Sequence, residues 1–202
     1  GVISELDQIS KLNLTSEVDL LYKHPNIEYL FLPYETGNYN LTNQVSNRVK
    51  VCHSPTNRYY KGSEDIIKIC RELEKEDIIE FLLIEGKRQD EVVKIKQECD
   101  IYIDQIHNRG GWGYGMSSVE SLSMGLVCMT ELLEEYKKFI PDHPFIAIDK
   151  SNIRQKIIQL TEDKEMLLHK KSEGQKWVTK YHGIKNVVES LYSHYEKLSW
   201  IK

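Results

Sequence analysis

The sequence has no apolar run approaching the roughly 18 residues that a membrane-spanning helix requires and no basic-then-apolar leader, so neither a span nor a secretion signal is read in it. It also has no basic surplus: 27 Lys and Arg stand against 31 Asp and Glu, a net charge of −4. Nucleic acids and anionic membrane surfaces need a concentrated basic face, so both are excluded as broad partners, and any anion site must be local. Cysteine is sparse. Cys52, Cys70, Cys99 and Cys128 stand far apart without a CxxC pair, which offers zinc no ligand pattern and a disulfide framework no basis. Cys52 and Cys128 lie in apolar strand-like runs and are expected to be buried thiols, as in a reducing cytoplasm. No Asp-x-Asp pair is present, so no metal site is expected.

What is there is enough for one substantial domain with extra ends: 202 residues, 40% of them hydrophobic. Residues 1–45 read as a tail and linker, with a short helix from Ser16 as N-cap to Lys23, the apolar run IEYLFLP, and a Tyr/Asn/Gly stretch. From residue 46 onwards, β-type runs at 49–53, 78–85, 101–103, 126–130 and 145–148 alternate with helical patterns at 63–74, 89–98, 116–124 and 131–139. Such alternation means βαβ units and a Rossmann-like parallel sheet flanked by helices, an α/β fold. Ser63, followed by Glu64 and Asp65, marks a helix start, and Ile66, Ile67, Cys70 and Leu73 recur at the spacing of one buried stripe. Beyond Asn152 the pattern is helical, ending in a helix at 185–198.

Two loops carry the chemistry. Residues 108–125, NRGGWGYGMSSVESLSMG, hold five of the eleven glycines and run into a helix after the third strand. Ligands of parallel sheets bind beyond the carboxyl ends of the strands, and a glycine-rich approach to a helix N-terminus offers free amides to a diphosphate. The expected donors are the amides around Gly115, Met116, Ser117 and Ser118. Glu120 lies one turn further on. A carboxylate beside a phosphate repels it, so vicinal ribose hydroxyls are its more comfortable partner, and a solvated helix acid is the alternative. The dinucleotide fingerprint fails, because Met116 stands where the third glycine belongs; Glu131, at the end of the next strand, keeps a nicotinamide enzyme open as a minor reading. In the second loop, HSPTNRYYKGSED at 53–65, Arg58 and Lys61 can lean over the same sheet edge and neutralise a diphosphate leaving group. His24, His53 and His107 are each read as satisfied or solvated rather than as a base.

Together, HSPTNRYYKGSEDII, FLLIEG, CDIYIDQI and above all GYGMSSVESLSMGLVCMT resemble the nucleotide-sugar-binding, C-terminal half of a GT-B glycosyltransferase of the retaining, group 1 type. The resemblance covers about residues 46–183. It implies that Glu120 is the second motif glutamate, which binds the donor ribose; that the amides after Gly115 hold the diphosphate; and that Lys61, of the Lys-Gly pair, stabilises the leaving phosphate with Arg58. Arg58 stands closer to the Lys-Gly pair than the family's arginine does. The family's first glutamate falls at Trp112, so the sugar is either stacked on that ring or held differently. A subgroup with an Asp-Gln pair after the third strand also lacks this acid, and there Asp104 and Gln105 face the cleft.

The expected function is sugar transfer from a nucleotide-diphosphate sugar, a UDP-sugar first, to a carbohydrate or lipid-linked acceptor, retaining and without a bound metal or other cofactor. The expected division is 1–45 as the end of an N-terminal acceptor domain plus linker, 46–183 as the donor-binding domain and 184–202 as a helix returning to the acceptor half. That half is expected to be missing, leaving a fragment, its Gly1 a cleavage remnant, which binds nucleotide and turns over little. The expected location is the cytoplasm, with any contact to the inner membrane made through the absent half. A non-catalytic binding domain of the same fold and a two-domain sugar epimerase stay open beside it.

Overall fold

The computed structural model describes residues 5, 8–23, 26–37, 39, 44–109 and 113–201; of Lys23 it describes the backbone alone. His24, Gly110, Gly111 and Trp112, and with them the roles expected of His24 and Trp112, lie outside these residues.

Short extended runs bounded by turns become the strands β3 (Lys50–His53), β4 (Glu80–Leu83), β5 (Ile101–Ile103), β6 (Val127–Thr130) and β7 (Ile146–Ala147). They form one parallel sheet in the order β4-β3-β5-β6-β7. Side chains alternate across it as the two-residue period dictates. Val51, Ile101, Ile103, Val127 and Met129 face one side, with α3 (Ser63–Lys75) and α7 (Ile153–Glu162) supplying Ile66, Cys70, Leu73, Ile153 and Ile157. Cys52, Tyr102 and Cys128 face the other, against Val119 and Leu122 of α5 (Met116–Ser123) and Trp177 and Val178 of α8 (Lys164–His182). All four cysteines are free and buried. Among the described residues no helix is long and apolar enough to cross a membrane.

The connection from β3 runs to β4 on one side, and the next crosses back to place β5 on the other. Between β3 and β5 the sheet therefore has a switch point, where the loops leaving the two strands diverge and open a crevice. His53 pairs in register with Ile103 at its floor.

Several elements differ locally from the sequence expectation. The helix expected at 131–139 shortens to α6 (Glu134–Lys137), because the Glu131 amide is drawn to the Gln105 carbonyl at 2.9 Å and keeps the chain extended past β6. Arg58 and Lys61 sit on a one-turn helix, α2 (Arg58–Lys61), whose first amides, those of Tyr59 and Tyr60, donate to Asn57 Oδ1. The short helix expected from Ser16 begins two residues later, as α1 (Val18–Lys23). Before it, β1 (Leu14–Thr15) pairs in parallel with β2 (Glu28–Tyr29). Residues 26–37 lie against the end of α8: Phe31 meets Trp177, Tyr181 and His182, and the Tyr34 amide donates to the His182 carbonyl at 2.7 Å. α4 (Gln89–Gln97) and α9 (Ile184–Lys197) match the patterns that announced them.

Candidate functional site

Both loops open at the β3/β5 crevice. Lys61 leaves α2 through Gly62, whose φ of +65° is the left-handed conformation that a side chain resists. A Cβ there would stand 2.6 Å from the Ile106 carbonyl oxygen and 2.7 Å from Ile106 Cγ1. The Lys-Gly pair thus has a physical reason: only glycine lets the loop after β5 press onto this corner, where the Ile106 amide donates to the Lys61 carbonyl at 3.1 Å. Gly62→Ala is expected to cost roughly 2–5 kcal/mol, the sum of left-handed strain and overpacking. Urea unfolding measures it, and a loss below about 1 kcal/mol, the level of an ordinary substitution, would refute the account.

Ser63 starts α3 as expected, yet its hydroxyl turns inward. The fully buried His53 places Nδ1 2.8 Å from the Ile103 carbonyl and Nε2 2.8 Å from Ser63 Oγ. A carbonyl only accepts, so Nδ1 carries the proton and Nε2 accepts from the serine. Burial lowers this imidazole to a pKa of about 4. His107 is likewise held, its ring Nε2 2.6 Å from Asp65 Oδ2 and its amide donating to Glu131 Oε2 at 2.5 Å. Glu131 is thereby engaged within the loop that a nicotinamide ribose would need it to leave.

Lys61 reaches across the crevice to the fully buried Asp104 just after β5, and also donates to Gln105 Oε1 at 3.2 Å. A Cβ on Gly115 would lie 3.6 Å from Lys61 Nζ, so the lysine and the glycine loop meet. Asp104 Oδ2 accepts from the Gly115 amide at 2.8 Å and from Ser118 Oγ at 2.7 Å. Burial raises the Asp104 pKa, but the Lys61 charge and these hydrogen bonds outweigh it and hold the carboxyl below its ordinary value. Two expected diphosphate donors are therefore occupied within the protein, the Gly115 amide by the Asp104 carboxylate and the Ser118 amide by the Gly115 carbonyl at 2.9 Å. The amides of Met116 and Ser117 lie between them at the helix start, where the first amides of any helix lack a partner one turn earlier. Gln105 Nε2 donates to the Gly113 carbonyl at 2.7 Å and fixes the loop's return.

Glu120 points inward rather than into solvent. It is 8% exposed, and its Oε1 accepts from Lys96 Nζ at 2.9 Å while Oε2 accepts from Gln89 Nε2 at 2.6 Å. Neither partner was read from the sequence, although a signal existed: Val92, Lys96 and Cys99 lie at helical spacing on one buried stripe, and a lysine there needs a partner. Arg58 stands at the crevice rim clamped by Glu85, with Nε–Oε1 at 2.8 Å and Nη2–Oε2 at 2.6 Å, and by Glu64 at 3.1 Å. Arg109, a cation that the sequence reading passed over, lies 4.7 Å above the exposed Tyr59 ring. Of the expected site residues, Lys61, Asp104, Gln105, Gly115 and Ser118 form one hydrogen-bonded cluster, and Ser117 and Glu120 form a second through Lys96, joined to the first along α5; Met116 opens beside them, and Arg58 is paired at the edge. Among the described residues, no group of three or more His, Cys, Asp or Glu side chains is arranged to hold a metal ion.

A cavity of about 80 Å³ adjoins Gly115 and Met116 and is walled by Glu17, Tyr29, Tyr114, Tyr136 and His182. The N-terminal segment thus helps to shape the surroundings of the glycine loop.

No protein-family profile and no curated sequence matches the chain. Solved structures do. A variant of S. aureus TarM, in complex with fondaparinux, alpha-GlcNAc-glycerol and UDP, aligns at 14% identity over 90% of this chain and 43% of its own, with a TM-score of 0.66. Anabaena HepE, in complex with UDP and glucose, aligns at 12% identity over 95% of this chain and 64% of its own, with a TM-score of 0.68. WaaG, a glycosyltransferase involved in lipopolysaccharide biosynthesis, aligns at 10% identity over 89% of this chain and 60% of its own, with a TM-score of 0.60. The fold is that of the Rossmann-like domain of GT-B glycosyltransferases, and the chain spans less than two thirds of each of these neighbours.

Proposed function

We propose that this chain is the donor-binding part of a glycosyltransferase that takes a sugar from a nucleotide-diphosphate donor, a UDP-sugar, and transfers it with retention to a carbohydrate or lipid-linked acceptor. One observation carries the reading: at the switch point of the sheet, Lys61, the glycine loop and the start of α5 converge, with Glu120 one turn behind. In it the Met116 and Ser117 amides hold the diphosphate. A carboxylate has about four acceptor positions, and two of Glu120's are taken, which leaves room for two ribose hydroxyls. Lys61 leans toward the developing phosphate charge and supplies, with the helix terminus, what a cation supplies elsewhere. Arg58 joins it only by exchanging Glu85 for the phosphate. Residues 46–183 form the donor unit, and 184–202 lead toward an acceptor half outside this chain. UDP bound by the TarM and HepE structures is consistent with the choice of base.

Titration with UDP, GDP and NAD tests it. UDP is expected to bind, and tight NAD binding, or none of the three, would sink the transferase reading. Glu120→Gln, which keeps the shape and removes the charge, is expected to weaken UDP by about 1–3 kcal/mol, the loss of hydrogen bonds to a charged acceptor. An unchanged affinity would remove Glu120 from the site.

A further inference from the structure

Lys96 is 1% exposed, and a fully buried lysine is costly unless something requires its charge. Its ammonium donates to Glu120 Oε1 at 2.9 Å and to Ser117 Oγ at 2.6 Å, and stands 4.4 Å above the centre of the Tyr102 ring. Packing alone would be served by methionine. What the lysine adds is a charge behind the first turn of α5, tied to Ser117, the second residue of the helix, and to the acid one turn later. Glu120 has an electrostatic difficulty that this resolves: an uncompensated carboxylate so near the helix start would repel a diphosphate there.

We propose that Lys96 is a positioning residue of the nucleotide site, which neutralises Glu120 and locks it to Ser117, so that one helix start accepts a ribose and a diphosphate together. The inference rests on the donor-site reading above and deepens it: Lys96 makes the site selective for nucleoside diphosphates over uncharged nucleosides. Gln89 holds the second carboxylate oxygen and carries no charge, so it orients Glu120 without sharing this role.

Isothermal titration of the whole chain with UDP and with uridine, at one fixed salt concentration, tests it. Lys96→Met is expected to weaken UDP about tenfold or more and uridine much less, because the bared charge of Glu120 acts on the phosphates. The ratio of the two affinities falls, which a merely structural role would not produce, since general loosening weakens both ligands alike. Glu120→Gln alone, which leaves the Lys96 charge uncompensated, is expected to raise the ratio and keeps the test available if Lys96→Met unfolds; Lys96→Met/Glu120→Gln removes both charges. It is expected to restore the UDP-to-uridine ratio to near that of the parent while binding both ligands more weakly. If the parent binds UDP and neither single variant changes the ratio, whatever happens to the two affinities, Lys96 has no such role. If the parent does not bind UDP, the donor-site reading itself falls, and this inference with it.

Discussion

Replacing Lys61 by methionine is expected to cost about 3–5 kcal/mol of folding stability at neutral pH, far beyond an ordinary substitution of a largely covered lysine. The partner decides this. Asp104 has no solvent exposure, and without Lys61 its charge stays buried with only the Gly115 amide, Ser118 Oγ and Gln105's neighbourhood around it. Lys61→Met/Asp104→Asn removes both charges and is expected to recover most of the loss, since a neutral pair of similar volume pays no ionic desolvation. The sign of the pH dependence follows from the depressed carboxyl. Its stabilisation is fully present above the ordinary Asp value of 3.8 and is lost as the pH falls through the lower folded value. The penalty of Lys61→Met therefore shrinks in strong acid. Urea denaturation at pH 7 and pH 3 measures both effects, and a loss under about 1 kcal/mol at pH 7 would mean that Asp104 does not depend on Lys61.

Acid is expected to destabilise the intact domain well before its carboxylates protonate. His53 and His182 are both buried, and burial lowers each to a pKa of about 4 from 6.5. His182 ties three parts together, with Nδ1 2.7 Å from the Leu32 carbonyl and Nε2 2.8 Å from Tyr114 Oη. Between pH 6.5 and 4 the unfolded chain takes up protons that these folded imidazoles refuse, so stability falls as the pH falls through that window and levels off below it. At full effect each histidine contributes roughly 3 kcal/mol. Denaturant midpoints taken from pH 7 to pH 4 report the slope, and His182→Gln is expected to flatten it by one proton. A stability that stays level across the window would contradict the neutral, buried state of both rings. The two histidines hold opposite borders of the candidate site, His53 under Ser63 and His182 behind Tyr114.

The strands, the parallel sheet and the two site loops were legible because they rest on local signals. Two-residue alternation and helical stripes are set by each residue's immediate neighbours, and glycine at 62, 113 and 115 marks where the backbone must bend or approach closely. The same reasoning placed Lys61, the glycine loop and Glu120 at one sheet edge. What Glu120 touches was not legible. Lys96 lies 24 positions away in sequence, and Asp104 is 43 positions from Lys61, so each pairing exists only once the sheet order has brought separate loops together.

Residues 1–45 show the same limit. Their composition reads as a linker, yet Val18 belongs to the core on the α8 side and Tyr29 and Phe31 pack against it, because an aromatic cluster supplies what local propensity lacks. The sequence alone was enough for the five strands of the main sheet, most of the helices and the parallel arrangement, since periodicity and chain geometry act over a few residues. Which charges are free to meet a ligand depends on the assembled fold: Asp104 occupies the Gly115 amide, Glu85 holds Arg58, and Lys96 sits behind Glu120. Burial makes an unpaired charge too costly to leave alone, and only the completed fold determines where its partner stands.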